Sequence, residues 1–386
     1  MILKNAMINN KKLDIQIKNN IITKIDSNLI DDEVIDCKNK TILPQFIDLN
    51  VYPKNKSLSR KNLESLAKKA KDGGVGILTL HSDTSPKIDN EMILEFIKSI
   101  NKELEISIYP LISSTNNENK LVDISILHSM GGIGVNLQSN QSPNTIDKIA
   151  KYAKMLDIPV FVNANDNLGG VINYGEMSAK LGLSARNPLS EIKEVAKILE
   201  VAIFYQIKVI FQAITEIRSI DLINEAKKHN PNIFCEVSIH HLLLNDGACD
   251  NYNTLAKLDP PLKDKKTQES LIESLKNNKI DLLTSMQCAC YKSLKEQVFE
   301  QAEYGIDAIN SYFSLIYTHL IKTNIIDLQT ISKICANNPA TLLNLNCGEI
   351  KIGKEAKLMI IDLDSSNTIE DSPYHKDLFG RVMDFI

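Results

Sequence analysis

The side chains in this chain best suited to chemistry are few and widely spaced. His81 closes the apolar run "GILTLHS", His240 and His241 adjoin in "CEVSIHHLLLND", and Cys288 and Cys290 stand two apart in "SMQCAC". Two thiols at that spacing fall on one side of a strand, and thiolate sulfur with imidazole is a soft-metal donor set. The competing reading is structural: buried histidines that hydrogen-bond within the fold, and inert strand-end thiols. A second group, Lys54, Asp83 and Asn163, carries polar ends suited to lining a small-molecule pocket. The alternative for that group is a mouth filled by Tyr52, Met286 and their neighbours.

Eight short β-rich runs must position these residues: "FIDLNV", "GILTLHS", "SIYPLIS", "GIGVNLQ", "PVFVNAN", "KVIFQAIT", "IFCEVSI" and "DLLTSMQ". Helical stretches such as "RKNLESLAKKAKDGG" and "TIDKIAKYAKML" separate them. Strand and helix alternating eight times predict an α/β chain of the (β/α)8 TIM-barrel type, whose reactive groups gather at the C-terminal strand ends. No GxGxxG or GxxxxGK[ST] turn marks a dinucleotide or nucleotide fold.

The first 40 residues alternate apolar and polar with period two, as in "KLDIQIK", which predicts a small antiparallel sheet. After two further helices, near "DAINSYFSLIYTHLIK" and "DLQTISKICANN", the segment "GEIKIGKEAKLMIIDLD" returns to strand-like alternation and is expected to pair with that sheet. Residues 1–48 and 345–386 then form a small β-domain around a barrel of residues 49–344.

Composition narrows the function classes. The chain has 386 residues and a net charge of -4, with no massed basic face for nucleic acid. It has no signal-peptide pattern and no apolar span of membrane length, so a soluble, cytoplasmic protein is expected. Its seven cysteines include no CxxC pair, which argues against a disulfide framework and a zinc ribbon.

The ordered phrases "EVIDCKNKTILPQFIDLNVY", "AKDGGVGIL", "HSDTSP", "CEVSIHHLLLND", "KLDPPLK", "IDLLT", "NNPATLLNL" and "GEIKIGKEAKLMIIDLD" span nearly the whole chain. In that order they resemble the amidohydrolase superfamily and, within it, dihydroorotase. The resemblance implies two strand-one histidines at positions that here are Asn50 and Tyr52. The strand-five histidine falls on Asn163, in "NAND", and the strand-six pair on Ile210 and Ala213. No carboxylate occurs in "VNLQSN", where a strand-four acid would bridge metals, and the strand-eight aspartate becomes Met286.

A metal-dependent family member lowers the pKa of bound water from 15.7 to about 7. Amides and a phenol are poor zinc ligands, and a thioether is a soft one. The substrate side departs as well. The family's carboxylate-clamping arginine becomes Lys54, which lacks the bidentate fork, and the asparagine of its "MPNT" becomes Asp83. No catalytic residue, metal or cofactor is therefore expected.

The resemblance implies instead a non-catalytic dihydroorotase-like protein of pyrimidine biosynthesis, a scaffolding partner of aspartate carbamoyltransferase and an oligomer former. Two readings compete with it. One is a cyclic-amide hydrolase with altered or no metal, using His81, His240, Cys288 or Cys290; the other is a small-molecule sensor.

Overall fold

The computed structural model describes residues 1–166, 168–369, 372–374 and 377–386. The chain opens with β1 (Ile2–Ile8), β2 (Lys11–Lys18), β3 (Ile21–Asp26), β4 (Val34–Asp36) and β5 (Thr41–Pro44). β1, β2 and β3 form an antiparallel meander, but β4 and β5 run parallel to β1. The sheet is therefore mixed, a correction to the antiparallel sheet expected from alternation. Period two reports which face a side chain takes and carries nothing about strand direction.

The barrel strands follow as β6 (Phe46–Val51), β7 (Val75–Leu80), β8 (Ser107–Ser113), β9 (Gly134–Gln138) and β10 (Val160–Asn163). A short parallel pair, β11 (Ile172–Asn173) and β12 (Ala185–Arg186), interrupts the series. It resumes with β13 (Val209–Phe211), β14 (Ile233–Ser238) and β15 (Leu282–Thr284). Each of the eight expected runs carries one of these barrel strands, and they pair in parallel in the order β15-β14-β13-β10-β9-β8-β7-β6.

The tail adds β16 (Leu358–Thr368), antiparallel to β5, and β17 (Asp377–Phe385), antiparallel to β16. The small sheet thus draws on both ends of the chain. Residues 370, 371, 375 and 376 of the expected 345–386 segment lie outside the described residues. Among the described residues no helix is long and apolar enough to cross a membrane.

Alternation along the barrel strands sorts the core. Ile47, Ile77, Leu111, Phe161, Ile210 and Leu282, one from each of six strands, form an apolar layer of their own within the barrel. Gly134 on β9 makes room for it, because a Cβ there would lie 2.7 Å from the Phe161 ring. Residues of the opposite parity, among them Val135, Val162, Phe211 and Leu283, join the larger cluster with the helices outside. The helix Arg60–Asp72 shows how those helices dock. Ser59 caps its N-terminus by accepting from the Asn62 amide, and Leu63, Leu66, Ala67 and Ala70 fall on one buried stripe.

No backbone ladder joins β6 to β15. A single parallel bridge between Val51 and Gln287 spans the seam, with the Tyr52 N–H donating to the Gln287 carbonyl at 2.8 Å. Lower down, the Asp48 carboxylate closes it. One oxygen accepts from the Thr284 hydroxyl and the other from the Ser285 N–H at 3.1 Å. Asp48 is fully buried and also accepts the Asn50 N–H at 3.3 Å, so removing it leaves three buried donors unpaired, at about 1–3 kcal/mol each. Asp48→Ala should therefore lower the unfolding free energy by about 3 kcal/mol in urea titration, whereas Ile30→Ser at a 91% exposed position should change it by less than about 0.5 kcal/mol.

Candidate functional site

The C-terminal strand ends surround a concavity of about 720 Å³. The mouth is therefore open rather than filled. One wall, built from the ends of β7 to β10, presents Ser82, Ser113, Thr115, Asn136, Gln138 and Asn163. The facing wall, from the loops after β14 and β15, presents Leu258, Met286, Cys288, Ala289, Cys290 and Leu294. Gly305 lets that second wall pack closely. Its φ is 116°, and a Cβ there would lie 2.2 Å from the Cys288 carbonyl oxygen.

Beneath the mouth lies a buried polar network. Asn50 donates from Nδ2 to Glu236 Oε1 at 3.0 Å, and the Ala213 N–H donates to the same oxygen at 3.2 Å. Glu236 Oε2 has no partner among the described residues. Burial raises the Glu236 carboxyl to about 8, and the Asp48 charge adds to the effect. Alongside, the Asn136 amide nitrogen lies 3.1 Å from His81 Nε2 and 3.2 Å from Gln212 Oε1, while Gln212 Nε2 donates to the Leu49 carbonyl at 3.2 Å.

Tyr52 lies over this floor. Its ring stacks on His81 with centroids 4.3 Å apart, and Lys56 Nζ sits 4.9 Å above the Tyr52 ring while pairing with Asp83 at 2.9 Å. His81 Nδ1 accepts the Asp83 N–H at 3.1 Å, which leaves the proton of a neutral ring on Nε2, beside the Asn136 amide. Burial pushes His81 down to about 3, against a weaker opposing effect of Asp83. The ring is therefore neutral at physiological pH.

Of the residues that sequence placed at the degenerate ligand positions, Tyr52, Asn163 and Met286 line the mouth, and Asn50 joins the floor through Glu236. Ile210 belongs to the apolar layer below. Two residues on, Gln212 is what β13's end contributes to the floor. Ala213 contributes through its backbone N–H. Ala213 and Met286 have φ of 49° and 46°, left-handed values that cost a residue with a Cβ roughly 1–2 kcal/mol.

Asp83, Cys288 and Cys290 line the concavity, as a pocket requires; Lys54, His81 and His240 do not. Lys54 points outward with Nζ 4.6 Å from the Tyr291 ring centroid. Left-handed backbone at Asn55 and Lys56 breaks strand alternation there and turns Lys56 inward in its place. His81 is covered by Tyr52. His240 is buried, with Nδ1 bonded to the Tyr374 hydroxyl, and burial pushes it down to about 3. His241 Nε2 donates to the Pro260 carbonyl at 3.0 Å, which leaves Nδ1 to accept the Ser238 hydroxyl at 2.7 Å. Burial pushes Cys288 up to about 11 and raises Cys290, so neither is poised as a thiolate.

These side chains do not fit the divalent metals that a hydrolytic barrel of this type implies. Among the described residues no group of three or more His, Cys, Asp or Glu side chains is arranged to hold an ion. The Asn50 amide is committed to Glu236, and His81 Nδ1 is committed to the Asp83 N–H.

Sequence reading missed Glu236, Asn136 and Gln212. A carboxylate or amide alone inside an apolar strand, as in "IFCEVS", was the available signal, because such a group must find a buried partner.

The eight-stranded barrel, the two-ended sheet and a mouth at the strand ends define an amidohydrolase-type fold. L-hydantoinase (dihydropyrimidinase) from Arthrobacter aurescens superposes with a TM-score of 0.86 at 18% identity, covering 100% of this chain and 94% of that one. A D-hydantoinase structure gives 0.84 at 20% identity. No family model matches the chain. A probable dihydroorotase-like protein of Helicobacter pylori is 31% identical over 396 residues, covering 100% of this chain and 96% of the relative. The dihydroorotase of Caldanaerobacter subterraneus is 28% identical over 411 residues, covering 100% of this chain and 95% of the relative. The chain belongs to the dihydroorotase-like proteins of the amidohydrolase superfamily.

Glu236 makes the floor pH-sensitive. Its folded pKa of about 8 lies above the ordinary 4.5, so the folded state holds its proton longer than the unfolded chain does. Burying the charge therefore costs stability progressively as pH rises from about 4.5 to about 8, in full above that, on the order of 4 kcal/mol. Glu236→Gln keeps the acceptor for Asn50 and Ala213 without the titration. Melting temperatures from pH 5 to 9 should show the wild type falling relative to this variant up to about pH 8 and running parallel to it above.

Proposed function

We propose that this dihydroorotase-like protein is non-catalytic. The observation that carries the reading is the joint replacement of the ligand set within a retained frame: Asn50, Tyr52, Asn163 and Met286 stand at the strand ends, and the nearby His81 is covered by Tyr52 with Nδ1 held by the Asp83 N–H. Without donors for a divalent ion there is no route to a metal-bound hydroxide near neutral pH, and the strand-eight position offers a thioether where a proton-shuttling carboxylate would act. The altered-chemistry alternative gains nothing from the cysteines, which sit as protonated thiols.

The role that follows is structural. We propose that the chain acts in pyrimidine biosynthesis as a scaffolding partner of aspartate carbamoyltransferase, through its outer surface rather than its mouth. Support comes from the dihydroorotase relationship, from the intact barrel and two-ended sheet, and from the lack of a usable ligand set among the described residues. A second reading, a small-molecule sensor, draws support from the open 720 Å³ concavity.

Light scattering of the chain mixed with the transferase of the same source should show a stable complex burying about 1,200 Å² or more, one that survives Asp83→Ala and Cys290→Ser in the mouth. Sedimentation of two unassociated species would contradict the scaffold role. Dihydroorotate should not turn over in either direction, with or without added zinc. The variant with His at both 50 and 52 should also stay inactive, because two donors fall short of the three protein ligands of a catalytic zinc site. Turnover by that variant would contradict the reading.

A further inference from the structure

We infer that the mouth is a binding site for an uncharged planar heterocycle with an amide-type donor–acceptor edge, of nucleobase or nucleoside size. The inference rests on the reading that the mouth no longer carries out metal-assisted hydrolysis, and it concerns what the vacated space recognises.

Gln138 and Asn163 are register partners on the adjacent parallel strands β9 and β10. Their side chains share a face about 4.8 Å apart, and both line the concavity. Neither carboxamide has a side-chain hydrogen-bond partner among the described residues, whereas the neighbouring amides of Asn136 and Gln212 are bonded to each other below, and Gln212 also to the Leu49 carbonyl. Two free carboxamides side by side offer alternating donors and acceptors. Asn and Gln use that arrangement to read the edge of a nucleobase.

The facing wall suits the faces of a flat ring. Leu258, Met286 and Ala289 are apolar, and Tyr304 lines the same space. A thioether and an aromatic ring pack well against a planar π-system. At about 720 Å³, the concavity lies within the range of small-molecule sites, roughly 300–1,000 Å³.

Charge selects against anions. The charged lining comprises two cations, Lys56 and Lys87, and three anions, Asp83, Asp259 and Glu303. Lys56 is paired with Asp83 at 2.9 Å, and Lys87 also acts on that carboxylate. A ligand carboxylate or phosphate would meet no guanidinium fork, since the one nearby, Arg186, pairs with Asp259. Uncharged ligands avoid this desolvation cost.

Isothermal titration of the full chain with uracil, uridine and adenosine, and with dihydroorotate, carbamoyl aspartate and uridine monophosphate, tests the inference. At least one neutral probe should bind, uridine more tightly than its monophosphate by about tenfold or more. Gln138→Ala and Asn163→Ala should each weaken binding about tenfold, the loss of about 1.4 kcal/mol expected for one hydrogen-bonding group, with melting temperature unchanged as a check on folding. The inference is overturned by anions that bind as tightly as neutral rings, by no neutral probe binding up to millimolar concentration, or by both variants retaining full affinity. Chromatography of the titrated mixtures separates the two readings: ring opening of a probe would refute the non-catalytic role, while affinity and its response to the two variants judge the site itself.

Discussion

Two carboxylates buried at the closing strands of the barrel, Asp48 and Glu236, set the terms for everything above them. Neither is exposed, and neither has an ion-pair partner among the described residues. Their charge must be met by neutral donors or suppressed by protonation. Asp48 accepts from Thr284, Ser285 and the Asn50 N–H and so holds the seam between the first and last barrel strands, while burial raises its pKa. Glu236 does the same, accepting from Asn50 and Ala213 while burial raises its pKa to about 8. The left-handed backbone at Ala213 accompanies the N–H that reaches this carboxylate. That conformation thus serves a hydrogen bond even where the side chain is a methyl group.

This arrangement explains how the strand ends carry Asn50 and Tyr52 while the barrel keeps its shape. Asn50 still supplies a donor to Glu236, and Tyr52 fills space by stacking on His81. Packing and hydrogen bonding at these positions ask only for donors and volume. Water activation asks for several converging ligands and a proton acceptor, and one substitution at each strand end suffices to remove them.

The barrel was legible in the sequence because each strand is an apolar run flanked by helical periodicity, and both ends of the chain alternate with period two. Strand direction in the small sheet was not, since β4 and β5 alternate the same way whether parallel or antiparallel. At the site, Asn163, whose position came from the resemblance, lines the mouth, whereas Lys54 does not and left-handed residues 55 and 56 redirect the chain after it. His240 drew attention as a reactive type, yet its contact is Tyr374, 134 positions away, a pairing that no local pattern encodes. Glu236 was passed over for the opposite reason: it looks like an isolated polar residue in an apolar strand until the partners from β6 and β13's end are seen around it.

The central claim is that the frame persists while its metal chemistry is gone, and metal occupancy tests it most directly. Native mass spectrometry of the folded chain, equilibrated with excess zinc and then exchanged into metal-free volatile buffer, should give the mass of the polypeptide alone. Retention of one or two zinc ions per chain, removed only by a strong chelator, would contradict it, because a site of that affinity requires converging ligands that the mouth as described does not contain.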